Sequence, residues 1–216
     1  LFAPERKRPL VKFPKVIGII TPKDSAAQSD LITNINRRYP LVTLKLVNAT
    51  FQGESAPESL INAFNILQKE PIDLLIIARG GGSSDDLWAF NDEGLIMALS
   101  QKKVPLISAI GHEIDTTLVD YLADVRASTP TAAAELAVPD QNELKQSLTD
   151  YNIRLENAMN TALFQSETML RHLTSRPVLV NFGAVVDNLT TKLLTLSTKL
   201  GARSAESLTK AQISLQ

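Results

Sequence analysis

The chain has 216 residues, 44% of them hydrophobic, and only 9 Gly and 11 Pro, which is typical of a globular protein. A formal net charge of −1 excludes a uniformly basic coat for nucleic acid, although a local positive site fits within a neutral total. The absence of cysteine excludes a disulfide framework and fits a reducing compartment. Apolar runs such as "VIGII" are far shorter than the ~20 residues of a membrane span. We therefore expect a cytoplasmic protein without a membrane segment.

The first part of the chain alternates short apolar runs with amphipathic patterns, which indicates a parallel α/β sheet. Strands are predicted over residues 16–20, 42–47, 74–78 and 104–109, and helices over residues 25–38, 57–69 and 91–101. Three of these strands are nearly continuous Val, Ile and Leu, so helices should cover both faces of the sheet. The predicted fold is a mostly parallel sheet flanked by helices, with ligands beyond the carboxyl ends of the strands.

From about residue 140 onward, apolar residues recur in alternating steps of four and three, the period of a coiled-coil seam. The two runs are Leu144, Leu148, Tyr151, Leu155, Ala158 and Ala162, and then Val186, Leu189, Leu193, Leu196 and Leu200. Pro177, in the sequence "SRP", predicts a break between two long helices. The spacing leaves open whether these helices fold back as a hairpin or continue with a kink.

These two patterns predict an α/β domain over residues 1–139 and a long α-helical coiled-coil extension over residues 140–216. Such an extension cannot bury both of its faces, so we expect it to carry another subunit. A helical packing domain without a partner is the alternative. Because the chain starts at Leu1 and stops at Gln216 inside the periodic pattern, we expect it to be a fragment of a longer polypeptide.

A glycine-rich loop follows the third predicted strand in "IIARGGGSSDDLWAFNDE", residues 76–93. Amides exposed by a glycine turn at the start of a helix can hold an anion, and the guanidinium of Arg79 can clamp a phosphate. The alternative is a tight turn in which Arg79 pairs with Asp85 or Asp86. The loop lacks the lysine of a Walker A motif. The predicted phosphate-binding residues are Arg79, Gly80, Gly81, Gly82 and Ser83.

A histidine follows the fourth predicted strand in "ISAIGHEIDTTLVDYLADVRASTPTAAAE", residues 107–135. Strands of a parallel sheet end at one edge, so His112 is expected near Arg79. Asp115 lies three residues after His112, and its carboxylate could orient the imidazole on one face of a helix. His112 could then act as a general acid or base on a scissile phosphate. The alternative is a histidine that only caps or packs.

Metal chemistry has weaker support in the sequence. Carboxylates for a two-metal site could come from Asp30, Asp115, Asp120 and Asp124. Asp120 and Asp124 stand beside Arg126, however, which favours a salt-bridge network. The zinc motif H-E-x-x-H requires a second histidine where Thr116 stands. No metal site and no cofactor are predicted.

Two further features admit a nucleic-acid interpretation. Trp88 and Phe90 could stack on bases, although such aromatics beside a helix more often belong to the core. The basic run "ERKR" at residues 5–8 could contact a phosphate backbone, although a solvated linker is the ordinary interpretation.

The two long motifs above together resemble the large-subunit family of exonuclease VII, a bacterial exonuclease of single-stranded DNA. The resemblance extends upstream to "ERKRPL", "AAQSDLITNINRRYP" and "FQGESAPESLINAF". It is strong as far as residue 139 and rests on architecture beyond it. One departure concerns the turn after the first strand: the family often has Gly where this chain has Ser25.

This resemblance implies an exodeoxyribonuclease that hydrolyses phosphodiester bonds of single-stranded DNA to short oligonucleotides without a required metal. It further implies an amino-terminal OB-type domain outside this chain, and several copies of a small subunit on the helical segment. The implied catalytic residues are His112, Asp115, Arg79 and Asp30. A non-catalytic phosphate-binding assembly module and a metal-dependent nuclease are the alternatives. Cleavage polarity, product length, subunit number and acid–base versus covalent histidine chemistry stay open.

Overall fold

A computed structural model describes residues 1–80, 84–111 and 115–213 of the chain. The chain divides into two compact units, Leu1–Thr149 and Asp150–Gln216. The functional division at residue 139 stays a prediction.

The first unit contains a five-stranded parallel sheet. The strands are β1 (Val16–Thr21), β2 (Thr43–Asn48), β3 (Leu74–Ala78), β4 (Leu106–Ala109) and β5 (Val125–Arg126). Their order is β2-β1-β3-β4-β5, and each neighbouring pair is parallel. The predicted parallel sheet is therefore confirmed, with a fifth strand that the sequence did not reveal. The direction of strand succession reverses between β1 and β3, which is where sheets of this kind hold their ligands.

Helices connect the strands of the first unit. They are α1 (Ala26–Arg38), α2 (Ala56–Gln68), α3 (Glu93–Ser100), α4 (Leu118–Leu122) and α5 (Pro130–Ala137), with short 3-10 helices at Pro4–Arg6 and Ser84–Asn91. Several begin at a side chain that caps the first turn. The Asp92 carboxylate accepts a hydrogen bond from the Leu95 amide at 2.9 Å, and Thr129 Oγ1 accepts one from the Ala132 amide at 3.0 Å.

Two hydrophobic clusters cover the two faces of the sheet. Alternate residues of a strand point to opposite faces, so Ile17 and Ile19 join one cluster while Ile20 joins the other. Leu31 of α1 packs in the first cluster, and Phe64 of α2 packs in the second. The prediction that helices flank both faces is therefore confirmed.

The second unit is helical. The long helix α6 (Gln141–Thr174) begins in the first unit and is followed by α7 (Pro177–Val180) and α8 (Phe182–Ile213). The predicted break at the sequence "SRP" is confirmed, because α6 ends just before it and Pro177 starts the next helix. No described helix is long and apolar enough to cross a membrane.

The apolar residues of the two predicted seams remain largely exposed in the chain by itself. Most of their large side chains are exposed, namely Leu148, Tyr151, Leu155, Val186, Leu189, Leu193, Leu196 and Leu200. The structure thus confirms the long helices. Their assembly into a coiled coil stays a prediction.

Candidate active site

A cavity of about 640 Å³ opens at the carboxyl edge of the sheet. Its wall is built by the loops that follow β1, β2 and β3, so it lies at the reversal of strand order. The lining residues are Pro22, Lys23, Ser25, Ala26, Asn48, Ala49, Thr50, Phe51, Gln52, Ser59, Arg79 and Gly80. Among the described residues, this lining contains two cationic side chains and no carboxylate. The cavity is therefore suited to an anion.

Arg79 enters the cavity wall from the end of β3. Its amide donates a hydrogen bond to the carbonyl of Ala109 at 3.0 Å, which continues the β3–β4 pairing by one residue. Arg79 is only 8% exposed, so little of it faces bulk water. A Cβ added to Gly80 would lie 3.6 Å from the amide nitrogen of Ala27. The glycine loop thus starts directly against the first turn of α1.

The start of α1 forms another part of the cavity wall. Ser25 is its N-cap: the hydroxyl oxygen accepts a hydrogen bond from the Gln28 amide at 3.2 Å and lies 3.2 Å from Thr21 Oγ1. Helix amino termini carry partial positive charge, which favours an anion at this position. The residue that departs from the family pattern therefore supplies a helix cap at the cavity.

The loop after β2 supplies two polar residues of the cavity lining that the sequence analysis missed, Thr50 and Gln52. Its fold is held by two backbone amides: that of Thr50 donates to Ser59 Oγ at 2.9 Å, and that of Ala49 donates to the Thr21 carbonyl at 3.2 Å. The ring of Phe51, also in this loop, packs edge-on against the ring of Phe90, with ring centroids 5.4 Å apart.

Of the two aromatics considered for base stacking, Phe90 is completely buried. Trp88, in contrast, is 48% exposed. The prediction that these aromatic residues belong to the hydrophobic core is therefore confirmed for Phe90 and wrong for Trp88.

Asp115 lies close to the end of β4. Its carbonyl oxygen would be 2.4 Å from a Cβ added to Gly111, so only glycine permits this approach. The same carbonyl accepts a hydrogen bond from Arg126 Nη2 at 3.2 Å. Asp115 is partly buried and does not line the cavity.

Asp30 occupies α1, at its fifth residue. It is exposed, and its backbone carbonyl accepts a hydrogen bond from Asn34 Nδ2 at 2.8 Å. The cavity lining does not include it. The other predicted site residues, His112, Gly81, Gly82 and Ser83, lie outside the described residues.

The carboxylate of Asp120 is held by hydrogen bonds within the fold. Its carboxylate accepts hydrogen bonds from Ser108 Oγ at 2.7 Å, the Thr117 amide at 2.8 Å and Thr117 Oγ1 at 2.9 Å. Arg126 Nε lies 3.7 Å from it. This arrangement agrees with the salt-bridge interpretation of the sequence and forms the capping box of α4.

The family model for the large subunit of exonuclease VII matches residues 1–216. The chain belongs to this family. An exodeoxyribonuclease 7 large subunit from Brevibacillus brevis is 47% identical over 80% of the chain and 38% of its own length. The protein of the same name from Acidothermus cellulolyticus is 44% identical over 84% of the chain and 44% of its own length. The chain thus spans less than half the length of these relatives.

Among solved structures, a mutant of ribose 5-phosphate isomerase type B from Trypanosoma cruzi aligns with a TM-score of 0.34 and 14% identity. The alignment covers 68% of this chain and 98% of the isomerase. This similarity is too low to bear on the fold or the function.

Proposed function

We propose that the chain is the catalytic part of an exodeoxyribonuclease that hydrolyses single-stranded DNA to short oligonucleotides. Family membership over the whole chain is the observation that carries this proposal. The relatives named exodeoxyribonuclease 7 large subunit support the same reaction class. The cavity at the carboxyl edge of the sheet supplies a place for the reaction.

The scissile phosphate binds in this cavity. The Arg79 guanidinium and the amino terminus of α1 hold its non-bridging oxygens, and Lys23 contributes further positive charge at the mouth. The amides of Gly80, Gly81, Gly82 and Ser83 extend this cradle, as the sequence predicts. Positive groups fixed before the reaction stabilise the charge that develops on phosphate oxygens in the transition state.

We assign the proton transfers to residues of the segment that follows β4. In the proposed reaction, water gives up a proton to a base as it attacks phosphorus, the bond to the leaving oxygen breaks, and that oxygen takes up a proton. His112, oriented by Asp115, transfers these protons. Alternatively, it attacks phosphorus itself, expels the leaving oxygen and forms a phosphohistidine that water then hydrolyses. Asp30 positions the water or carries a second proton. Strand β4 pairs with β3 as far as Ala109 and Ala78, so the described chain leaves β4 beside the start of the Arg79 loop, which supports this assignment.

We propose further that the reaction requires no metal ion. The alternative, a metal-dependent nuclease, would use Asp30, Asp115 and Asp120 as ligands. The hydrogen bonds from Ser108 and Thr117 occupy lone pairs on both carboxylate oxygens of Asp120, which leaves little capacity for a metal ion.

The partner of the helical segment is proposed to be the small subunit of exonuclease VII, in several copies. The exposed leucines of α6 and α8 support this proposal, because a partner would remove their surface from water. We propose further that these helices form a coiled coil. We also propose that the protein is cytoplasmic.

The decisive experiment uses the full-length protein with its small subunit and end-labelled single-stranded DNA in the presence of EDTA. We expect wild type to shorten the strand, and Arg79→Ala and His112→Ala each to reduce kcat by about 10²–10³, as for the loss of a donor to a developing oxyanion. Lys69→Ala, an exposed change at the end of α2, is the control and should cut like wild type.

The other outcomes separate the alternatives. Cleavage that EDTA abolishes would support the metal-dependent nuclease. Saturable DNA binding by wild type without strand shortening would support a non-catalytic binding module. Wild-type rates in both variants would show that the active site lies elsewhere.

A further inference from the structure

A second, smaller cavity lies at the opposite edge of the sheet. Its volume is about 50 Å³, and its lining comprises Leu1, Phe2, Arg6, Lys7, Arg8, Ser100, Lys102, Tyr121 and Leu122. Lys102 precedes β4, whereas the candidate active site follows the carboxyl ends of the strands. The two cavities are therefore separate. We refer to the second as the amino-edge pocket.

The basic segment at residues 5–8 is fixed to the sheet and is not a free linker. The backbone amide of Arg8 donates a hydrogen bond to Asp124 Oδ1 at 2.8 Å, and its Nη1 donates to the carbonyl of Lys102 at 2.8 Å. Asp124 Oδ2 also accepts a hydrogen bond from the amide of Leu106, the first residue of β4, at 2.7 Å. This network places the cations of the segment beside Lys102.

Positive charge in the amino-edge pocket exceeds negative charge. Among the described residues, Lys102 is the only one of the four lining cations that pairs with a carboxylate, at 3.5 Å from Asp124 Oδ2. The Asp124 side chain is fully buried and does not line the pocket. Arg6 and Lys7 present exposed cationic side chains at the same cavity. A bound anion would offset the repulsion among these groups.

The environment of Lys102 agrees with this charge balance. Burial lowers the pKa of Lys102 below its ordinary value, and the positive charges of Arg8 and Arg6 lower it further, while Asp124 acts in the opposite direction. Burial is the largest of these effects, and the Asp124 carboxylate does not fully offset the lowering of the pKa. An anionic ligand would favour the charged form of this lysine.

An aromatic surface borders the same pocket. Tyr121 is 57% exposed, and its ring contacts Phe2 edge-on with centroids 6.3 Å apart. A groove of cations beside exposed aromatic rings is the combination that binds single-stranded nucleic acid, because phosphates meet the cations while bases stack on the rings.

We propose that the amino-edge pocket binds a backbone phosphate of single-stranded DNA at a distance from the scissile bond, with Tyr121 stacking on an adjacent base. This inference rests on the proposed function for the identity of the strand. It assigns to Arg6, Lys7, Arg8 and Lys102 a role in holding substrate, outside the reaction itself. Such a contact acts only on strands long enough to extend from one edge of the sheet to the other.

The test compares two variants in the full-length protein with its small subunit. Arg6→Ala/Lys7→Ala removes two cations from the pocket, and Tyr121→Leu removes the stacking ring. Lys12→Ala/Lys69→Ala removes two exposed cations outside the pocket and is the matched control. Steady-state kinetics are measured on a long single strand and on a dinucleotide over a series of salt concentrations.

We expect KM for the long strand to rise at least about fivefold in both pocket variants, with kcat unchanged. The double variant should also lower the slope of log KM against log salt by about 0.7 for each phosphate that the pocket no longer neutralises. Kinetics on the dinucleotide should equal those of wild type, because a dinucleotide is too short to reach the pocket. The control should match wild type on both substrates.

Two results would overturn the inference: pocket variants that match the control on the long strand, or an equal loss on the dinucleotide, which would indicate general damage. If wild type cleaves neither substrate, the proposed function fails, and binding of a fluorescent single strand then tests the pocket separately. In that assay, equal affinities of wild type and both pocket variants would exclude the contact.

Discussion

The α/β unit and the helical unit use the same apolar residue types with opposite results. Leu31 of α1 is 0% exposed, whereas Leu155 of α6 is 67% exposed, although both belong to regular apolar patterns on helices. In the first unit the sheet covers the apolar face of each flanking helix. In the described part of the second unit, most large side chains of the apolar stripes stay exposed. A regular spacing of apolar residues therefore shows that a helix has an apolar face. It does not show whether the same chain covers that face.

This difference has a thermodynamic consequence. Burial of a leucine side chain contributes about 1.5–3 kcal/mol, and the helical unit does not gain this free energy from its exposed leucines. Helices gain most of their stability from packing of an apolar face. The helical unit is therefore expected to gain stability if the proposed partner binds, whereas the α/β unit should be stable without it.

The largest expected effect comes from one substitution made in both units. Leu31→Ala leaves a cavity between α1 and the sheet and should lower the free energy of unfolding by about 2–5 kcal/mol. Leu155→Ala removes an exposed side chain and should change it by less than about 0.5 kcal/mol in the absence of partner. Urea unfolding of the full-length protein measures both. Equal decreases in the free energy of unfolding would show that Leu155 is already buried within the protein. The proposed difference between the two units would then be wrong.

A second experiment sharpens the comparison at the level of assembly. Leu155→Asp places a charge in the proposed seam and should weaken binding of the small subunit at least about tenfold, a change of about 1.4 kcal/mol. Asn160→Asp adds the same charge to α6 outside the seam residues and should bind like wild type. Titration calorimetry with the purified small subunit measures both affinities. Undiminished binding by Leu155→Asp would remove this residue from the interface.

The smallest expected effect concerns a polar residue of the α/β unit. Ser25→Ala removes the cap of α1 and should lower the free energy of unfolding by about 1 kcal/mol, whereas Ser25→Gly should cost only a few tenths. Thermal unfolding followed by circular dichroism measures the difference. If Ser25→Ala is as stable as wild type, the hydrogen bond from the Gln28 amide contributes nothing to stability, and this cap does not help to hold the cavity wall.

Much of the fold could be predicted from local sequence. Strand β3 was predicted with its observed bounds, because an apolar run of this length is too short for a buried helix. The break before Pro177 was predicted because proline cannot continue the preceding helix. Strand β5 was missed since it has only two residues, and α5 was missed because its alanine-rich sequence "PTAAAELA" has little amphipathic contrast.

The candidate site was predictable only in part. Arg79 and Gly80 were selected because a glycine loop after a strand is a local signal. Lys23, Asn48 and Gln52 were missed because no local sequence signal marks them, and only the fold brings them to one cavity. The rule that ligands bind where strand order reverses could have found them, but it requires the strand order.

By itself, the sequence determined the longer strands and helices, the family and the apolar faces, because these depend on residue type and on spacing along the chain. The tertiary structure decided which loops share a cavity, which carboxylates are held by hydrogen bonds and where the basic segment near the start of the chain is attached. Arg8 and Asp124 are 116 positions apart in the chain, yet they are hydrogen-bonded in the fold. Contacts of this kind depend on pairing between strands and helices that are remote in sequence, and no local pattern encodes them.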